Sequence, residues 1–254
     1  MISTSRTGNV LVATLSRPPV NALNSEMAEQ LEQLLDKAEA DAGVSVLRFR
    51  SDQKVFCAGG DMVMFEANFG TPEGREILIE KVTIRLQRLF TRIEAAPFVT
   101  LAEIQGHALG GGLELAMACD LRVAAVEAKL GLTEVQLGLL AAAGGTQRLT
   151  RLCGVGVAKR MILGAEMVTG DEAQRLGIVQ WSMPRSQVEE FTDALTLRYA
   201  SMPRASSAES KSCIAAAMDP SRDGFAEEIA SSRRLYINPE TRAKVAEFTS
   251  RSKR

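Results

Sequence analysis

The chain has 254 residues, of which 46% are hydrophobic and 24% are charged. These proportions are ordinary for a globular protein, and the length suits one large domain or one domain with an appendage. The formal net charge is −1, with 30 basic and 31 acidic residues, and the basic residues are scattered apart from a short tail at 251–254. This pattern argues against a nucleic-acid-binding surface.

Metal binding and membrane insertion are not expected. The four cysteines lie far apart without a CxxC pair, and His107 is the only histidine, so a Cys/His metal site is not predicted. The N-terminal segment has no apolar signal-peptide core, and no run reaches the ~18 apolar residues of a membrane span. We expect a soluble protein of a reducing compartment, located in the cytoplasm and without membrane contact.

The first third of the chain predicts alternating strands and helices. Residues 9–16 are β-branched and apolar and predict a strand, and 44–49 predict a second one. Between them, Ser25 is a suitable N-cap for a helix over 26–40, whose apolar residues recur at helical spacing. A strand–helix–strand unit of this kind needs further strands on its sheet.

A β-like run then meets the glycine pair Gly59–Gly60, which is followed by Asp61. We expect Asp61 mainly to cap the next helix. Residues 61–96 predict mostly helix with a loop near 70–74, and the segment 76–95 carries a long amphipathic pattern.

A second strand-to-glycine turn follows and carries an acidic residue. The predicted strand 98–105 leads to the glycines Gly110–Gly112 and then to a helix over 113–119 that contains Glu114. Glycines let a ligand approach bare backbone, and the free N–H groups of a helix's first turn favour negative charge. A carboxylate beside such donors suits chemistry on a carbonyl compound. The alternative is structural, because a glutamate near a helix N-terminus is favourable without any catalysis.

The remaining elements are predicted from the same signals. We expect a strand at 121–126, a loop over 129–135 with Glu134, helices at 146–152, 158–163 and 169–176, a strand at 178–183, and helices from 187 onward with breaks at Pro203, Pro220 and Pro239.

Four motifs in this order resemble the crotonase superfamily, specifically its enoyl-CoA hydratase/isomerase branch. They are Phe56-Cys-Ala-Gly-Gly-Asp61, Gly106-His-Ala-Leu-Gly-Gly-Gly-Leu-Glu-Leu-Ala-Met-Ala-Cys-Asp120, Gly131-Leu-Thr-Glu134 and Gly144-Gly-Thr-Gln-Arg-Leu149. The resemblance implies an α/β (α+β) fold, a ClpP-like spiral of ββα units over residues 1–195. It also implies a helical C-terminal segment over 196–254 that builds homotrimers, often dimers of trimers.

The resemblance further implies an acyl-CoA thioester substrate and no metal or separate cofactor, because coenzyme A is part of the substrate. By motif position, the N–H groups of Ala58 and Gly111 would form the oxyanion hole, and Glu114 and Glu134 would be catalytic. Substrate-binding positions would be Gly110, Asp61, Ala142 and Phe248. His107 precedes the donor glycines and is interpreted as structural.

The two glutamates, 20 residues apart, favour hydration of a double bond. Two carboxylates facing one substrate can activate a water and exchange a proton with Cα. By resemblance, Glu114 would activate the water and Glu134 would handle the Cα proton. The alternatives are an enoyl-CoA isomerase or another thioester-enolate enzyme, and a non-catalytic protein that binds a partner or RNA. Ala141-Ala142 stands where the family commonly has Pro-Gly, which leaves the substrate and the efficiency open.

Overall fold

The computed structural model describes residues 1–251. Its strands are β1 (Ile2–Thr7), β2 (Val10–Leu15), β3 (Val46–Ser51), β4 (Val99–Ile104), β5 (Ala108–Leu109), β6 (Leu121–Ala125), β7 (Lys129–Gly131), β8 (Val168–Thr169) and β9 (Trp181–Met183). Its α-helices are α1 (Ser25–Ala40), α2 (Met62–Phe69), α3 (Pro72–Leu78), α4 (Arg85–Ala95), α5 (Gly111–Ala118), α6 (Gly145–Leu163), α7 (Gly170–Arg175), α8 (Arg185–Ala200), α9 (Arg204–Ala216), α10 (Gly224–Tyr236) and α11 (Pro239–Arg251).

The strands form two sheets. The larger has six strands in the order β1-β2-β3-β4-β6-β9, and the smaller has the order β5-β7-β8. In the larger sheet only β1 and β2 are antiparallel, and each further neighbouring pair is parallel. Parallel neighbours require crossover connections, which here contain the helices between the strands.

The core lies between the central strands and the helices that cross over them. All six residues of β4 are buried, which is typical of a parallel strand covered on both faces. The predicted apolar face of α1 is confirmed, because its residues at helical spacing are buried: Met27, Leu31, Leu34, Leu35 and Ala38.

The start of α1 differs from the prediction by one residue. Asn24, not Ser25, is the N-cap, and its side chain accepts a hydrogen bond from the Met27 N–H at 2.9 Å. Both residue types are good caps, so composition alone did not distinguish them. Strand β1 was not predicted, because its sequence is mostly polar and its residues are largely exposed at the edge of the sheet.

The segment predicted as one helix over 76–95 has three parts. It begins within α3, passes through a π-helical turn at Ile79–Ile84 and continues as α4. The predicted loop over 129–135 contains β7, and a 3-10 helix over Glu134–Leu137 begins there. The separate helices predicted at 146–152 and 158–163 are parts of α6, which kinks at Gly154, where φ is +80°.

The C-terminal segment is helical, as predicted, and α9 and α11 begin at or directly after the predicted proline breaks at Pro203 and Pro239. Helix α9 is attached to the body of the chain by two cations. The Arg204 guanidinium lies 5.5 Å from the centre of the Phe98 ring, and Lys211 Nζ lies 2.7 Å from Asp120 Oδ2.

The predicted division between residues 195 and 196 falls inside α8, and the assignment of two parts stays a prediction. Within the described chain, none of the helices combines the length and the apolar character that crossing a membrane requires.

Candidate active site

Gly110 forms the turn between β5 and α5. Its backbone has φ of +50° and ψ of −127°, a conformation that favours glycine. The Gly110 N–H donates to the Gly131 carbonyl at 2.9 Å, which joins this turn to β7. A Cβ atom at Gly110 would lie 3.0 Å from Glu134 Oε1. Glycine is therefore required both by the backbone conformation and by the closeness of the Glu134 carboxylate.

The next two glycines bring the N-terminus of α5 against a neighbouring backbone segment. A Cβ at Gly112 would lie only 2.2 Å from the Cys57 carbonyl oxygen. Gly111 is the first residue of α5, so its N–H has no acceptor within the helix. A Cβ at Gly59 would lie 3.5 Å from the Gly111 nitrogen. The two glycine-containing turns therefore meet in space.

The predicted role of the Ala58 N–H as an oxyanion-hole donor is not supported by the structure, because this N–H donates to the Val20 carbonyl at 3.0 Å and is already used within the fold. The N–H of Gly60 is the alternative. The neighbours of Gly60 in the chain both bond to Leu23. The Leu23 N–H donates to the Gly59 carbonyl at 2.7 Å, and the Asp61 N–H donates to the Leu23 carbonyl at 3.0 Å. In this parallel bridge the Gly60 N–H points away from Leu23. The sequence did not single out Gly60 as a candidate donor, although it is the second glycine of the pair.

Glu114 lies in the first turn of α5 and is 3% exposed. Its Oε1 accepts a hydrogen bond from the Gly145 N–H at 2.7 Å, and the backbone of Ala143 also donates to this carboxylate. Burial and then the nearby Glu134 carboxylate raise the pKa of Glu114 to about 7, against these two backbone bonds and the charge of Arg148.

Glu134 begins the 3-10 helix after β7 and is half-buried. Its Oε2 atom is buried and accepts no hydrogen bond from the part of the chain that the structure describes. Burial raises the pKa of the Glu134 carboxyl. A Cβ at Gly111 would lie 3.8 Å from Glu114 Oε2, while one at Gly110 would meet Glu134. The two predicted carboxylates therefore flank successive residues of the same glycine turn.

Asp61 has the structural role that its position predicts. Its Oδ1 accepts hydrogen bonds from the N–H groups of Val63 at 3.1 Å and Met64 at 3.4 Å, which caps α2. Its Oδ2 pairs with the Arg17 guanidinium at 2.5 Å. Because both oxygens are engaged, Asp61 holds the end of the Gly59–Gly60 turn, and its substrate contact stays a prediction.

The other predicted positions lie in different surroundings. Ala142 lies in the loop before α6, and its carbonyl accepts a hydrogen bond from Gln87 Nε2 at 2.6 Å. Phe248 is 73% exposed on α11, so its contact with coenzyme A stays a prediction. His107 is structural, since its Nδ1 accepts from the Lys129 N–H at 3.0 Å. Across residues 1–251, no three His, Cys, Asp or Glu side chains form a group that could hold a metal ion.

Comparison with known proteins places the chain in a family. A family profile described as enoyl-CoA hydratase/isomerase matches residues 5–248. A probable enoyl-CoA hydratase of Bacillus subtilis is 42% identical over 192 residues, which are 75% of this chain and 72% of that protein. A short-chain-enoyl-CoA hydratase of Clostridium acetobutylicum is 41% identical over 175 residues, which are 68% of this chain and 64% of that protein.

Solved structures agree with these sequence relatives. An enoyl-CoA hydratase from Bacillus anthracis superimposes with a TM-score of 0.90 at 29% identity, covering 98% of this chain and 96% of that one. The fold predicted from the motifs, an α/β crotonase fold with a helical C-terminal segment, is confirmed by this match. Together with the profile match over nearly the whole chain, it shows that the protein belongs to the enoyl-CoA hydratase/isomerase family.

Proposed function

We propose that the chain adds water across the α,β double bond of an enoyl-CoA thioester. The observation that carries this proposal is the placement of two carboxylates, Glu114 and Glu134, at the glycine turn that begins α5. The names of the relatives support the same reaction.

In this proposal, the thioester carbonyl oxygen accepts hydrogen bonds from the N–H groups of Gly60 and Gly111. When the nucleophile attacks Cβ, negative charge develops on this oxygen as an enolate. Donors that are fixed before the reaction stabilise that charge without reorganisation, and the loss of one such donor typically costs on the order of 10²–10³ in rate. In this pose the substrate's Cα and Cβ lie beside the glycine turn, near the carboxyl groups of Glu114 and Glu134.

Proton transfer is divided between the two carboxyl groups. Glu114, as a carboxylate, takes a proton from water while the water oxygen bonds to Cβ and the double-bond electrons move into the enolate. Glu134, as a carboxylic acid, gives its proton to Cα, so that H and OH have been added across the double bond. The raised pKa of each group supports these roles, because it makes Glu114 a base near neutral pH and favours the protonated form of Glu134.

The test follows the loss of enoyl-thioester ultraviolet absorbance on crotonyl-CoA by the wild type, Glu114→Gln and Glu134→Gln. We expect turnover by the wild type and a fall of about 10²-fold or more in each variant. Full activity in both variants would refute the assigned roles. If Glu114→Ala instead keeps a double-bond shift intact, the isomerase alternative is the correct one. If the protein binds no acyl-CoA at millimolar concentration but retains a partner on pull-down, the non-catalytic alternative stands.

We also propose that the chain forms homotrimers, alone or as dimers of trimers, in the cytoplasm, with no cofactor apart from the coenzyme A of the substrate. Support comes from the C-terminal helical segment, whose helices and connecting turns expose large apolar side chains: Ile214, Met218, Phe225, Ile229, Tyr236 and Ile237. Light scattering on the purified protein tests this, and a monomer at micromolar concentration would contradict it.

A further inference from the structure

Two hydrogen-bonded peptide groups lie behind the Gly60 N–H. The Leu23 N–H donates to the Gly59 carbonyl at 2.7 Å. A carbonyl and the N–H that follows it in the chain belong to one planar peptide unit. The Ala22 carbonyl is therefore rigidly joined to the Leu23 N–H, and the Gly59 carbonyl to the Gly60 N–H. A donor that fixes the Ala22 carbonyl consequently also orients the Gly60 N–H, through two peptide planes.

The Arg17 guanidinium supplies that donor and also holds the other side of the turn. Its Nη1 donates to the Ala22 carbonyl at 3.0 Å, and its Nη2 pairs with Asp61 Oδ2 at 2.5 Å. Asp61 directly follows Gly60, and its N–H donates to the Leu23 carbonyl at 3.0 Å. One planar cation therefore fixes both the peptide before Leu23 and the residue after Gly60, a task that suits the rigid fork of arginine.

We infer that Arg17 is a positioning residue for the Gly60 N–H, acting through the peptide groups 22–23 and 59–60. The catalytic consequence rests on the proposed function, in which this N–H donates to the thioester oxygen. A peptide polarised at its oxygen is also a stronger donor at its nitrogen, which adds to the geometric effect. Because the oxygen carries more negative charge in the transition state than in the bound substrate, the effect belongs in kcat and not in KM.

The Arg17 side chain can be replaced while its backbone stays fixed. The Arg17 N–H donates to Asn21 Oδ1 at 2.7 Å, and the Asn21 N–H donates to the Arg17 carbonyl at 2.8 Å. Asp61 keeps the N–H groups of Val63 and Met64 as donors to its Oδ1. The Arg17 side chain is 26% exposed, so solvent can reach the groups that it leaves. Arg17→Met therefore removes the two guanidinium bonds and retains an unbranched stem.

The experiment compares Arg17→Met with Arg92→Met. Arg92 is a matched control, because its guanidinium is also half-buried and pairs with two carboxylates of α1, those of Asp36 and Glu39. Steady-state kinetics on crotonyl-CoA give kcat and KM. Infrared difference spectra of bound butyryl-CoA, labelled with carbon-13 at the thioester carbonyl, give the polarisation of that carbonyl. We expect kcat to fall about tenfold in Arg17→Met, with KM within about twofold of wild type, and the carbonyl band to shift less to low frequency on binding.

A third readout needs no ligand. Hydrogen exchange followed by mass spectrometry compares the amides of 22–24 and 59–61 with those of β4. We expect the two segments to exchange about fivefold faster in Arg17→Met, with β4 exchanging as in Arg92→Met, because the loosening is local. Arg17→Lys is the second variant if Arg17→Met does not fold. It keeps the charge beside Asp61 but cannot serve both partners with a fork, so the same changes are expected at smaller size.

The three readouts separate the inference from the proposed function. If the wild type hydrates enoyl-CoA and either kcat or the carbonyl band of Arg17→Met matches that of Arg92→Met, the inference is overturned. A loss that appears only in KM also overturns it and indicates that Arg17 contacts the substrate directly. If the wild type hydrates no enoyl-CoA, the proposed function fails, and hydrogen exchange decides whether Arg17 holds the Gly60 turn. Equal exchange in the two variants would then overturn that role as well.

Discussion

Glu114 combines deep burial with an ionisable group, and this combination makes the folded state pH-sensitive. Its ordinary pKa of 4.5 is raised to about 7, first by burial and then by Glu134. A carboxyl whose pKa is higher in the folded than in the unfolded chain stabilises the fold while it is protonated in both. That contribution is fully present below about pH 4.5 and is lost as the pH rises through about 7.

Glu114→Gln is therefore expected to stabilise the protein at pH 8 and to have little effect at pH 4.5. The glutamine oxygen can still accept from Gly145, and no buried charge remains, so the gain is on the order of 1–3 kcal/mol. Urea unfolding of both proteins at several pH values measures the difference. A gain that is the same at every pH would show that Glu114 is not titrating in this range.

Gly110→Ala should reduce activity without abolishing folding. The new Cβ would lie 3.0 Å from Glu134 Oε1, and the residue would retain a φ near +50°, so the turn and the carboxylate must shift against each other. We expect kcat/KM to fall at least about tenfold, because small displacements of catalytic groups are costly. Gly8→Ala is the matched control, since Gly8 has φ of +57° and a Cβ there would meet no other described residue within 4 Å, its chain neighbours apart. Equal losses of kcat/KM in Gly110→Ala and Gly8→Ala would show that backbone strain alone causes the effect.

At the scale of elements, the helices could be predicted where a periodic pattern or a proline marked them. The apolar face of α1 and the proline breaks before α9 and α11 are examples. The π-helical turn at Ile79–Ile84 could not be predicted, because its apolar residues continue a helical pattern while the hydrogen-bond ladder changes. Strand β1 is stabilised by pairing with β2 and has little sequence signal of its own.

The candidate site, like the fold, combines features that the sequence predicts with features that only the structure shows. The motifs predicted that the two glutamates and the glycine turn belong together, and the structure places both carboxylates beside this turn. The choice between Ala58 and Gly60 depends on which N–H is already bonded within the fold, which only the pairing with Val20 and Leu23 reveals. Gln87 lies on another element and has no motif, so its contact with Ala142 could not be predicted from spacing.

The N-terminus of α1 offers a direct test of one such correction. Asn24→Ala removes the side-chain acceptor of the Met27 N–H and should cost about 1 kcal/mol of unfolding free energy. Ser25→Ala, at the position predicted from the sequence, should change stability by less, because Ser25 is already inside the helix. Urea unfolding of both variants provides the comparison. A larger loss of unfolding free energy in Ser25→Ala than in Asn24→Ala would show that Ser25 is the cap.

At the scale of the whole molecule, two distant parts of the chain form one site because the sheets bring their turns together. The bridge between Cys57 and Ala108 joins the turn at Gly59–Gly60 to the start of α5, and β7 brings Glu134 beside Gly110. Helix α9, through Lys211, holds Asp120 at the other end of α5. The glycines are therefore as important to the site as the carboxylates, since they permit these approaches.

The most direct test of the central proposal is the fate of water in the reaction. Purified protein would act on crotonyl-CoA in water labelled with deuterium or with oxygen-18, and mass spectrometry would locate the labels in the product. We expect one oxygen-18 at Cβ and one deuterium at Cα, with both lost in Glu114→Gln and Glu134→Gln. Deuterium exchange or a shifted double bond without oxygen-18 at Cβ would contradict water addition and identify the protein as an isomerase.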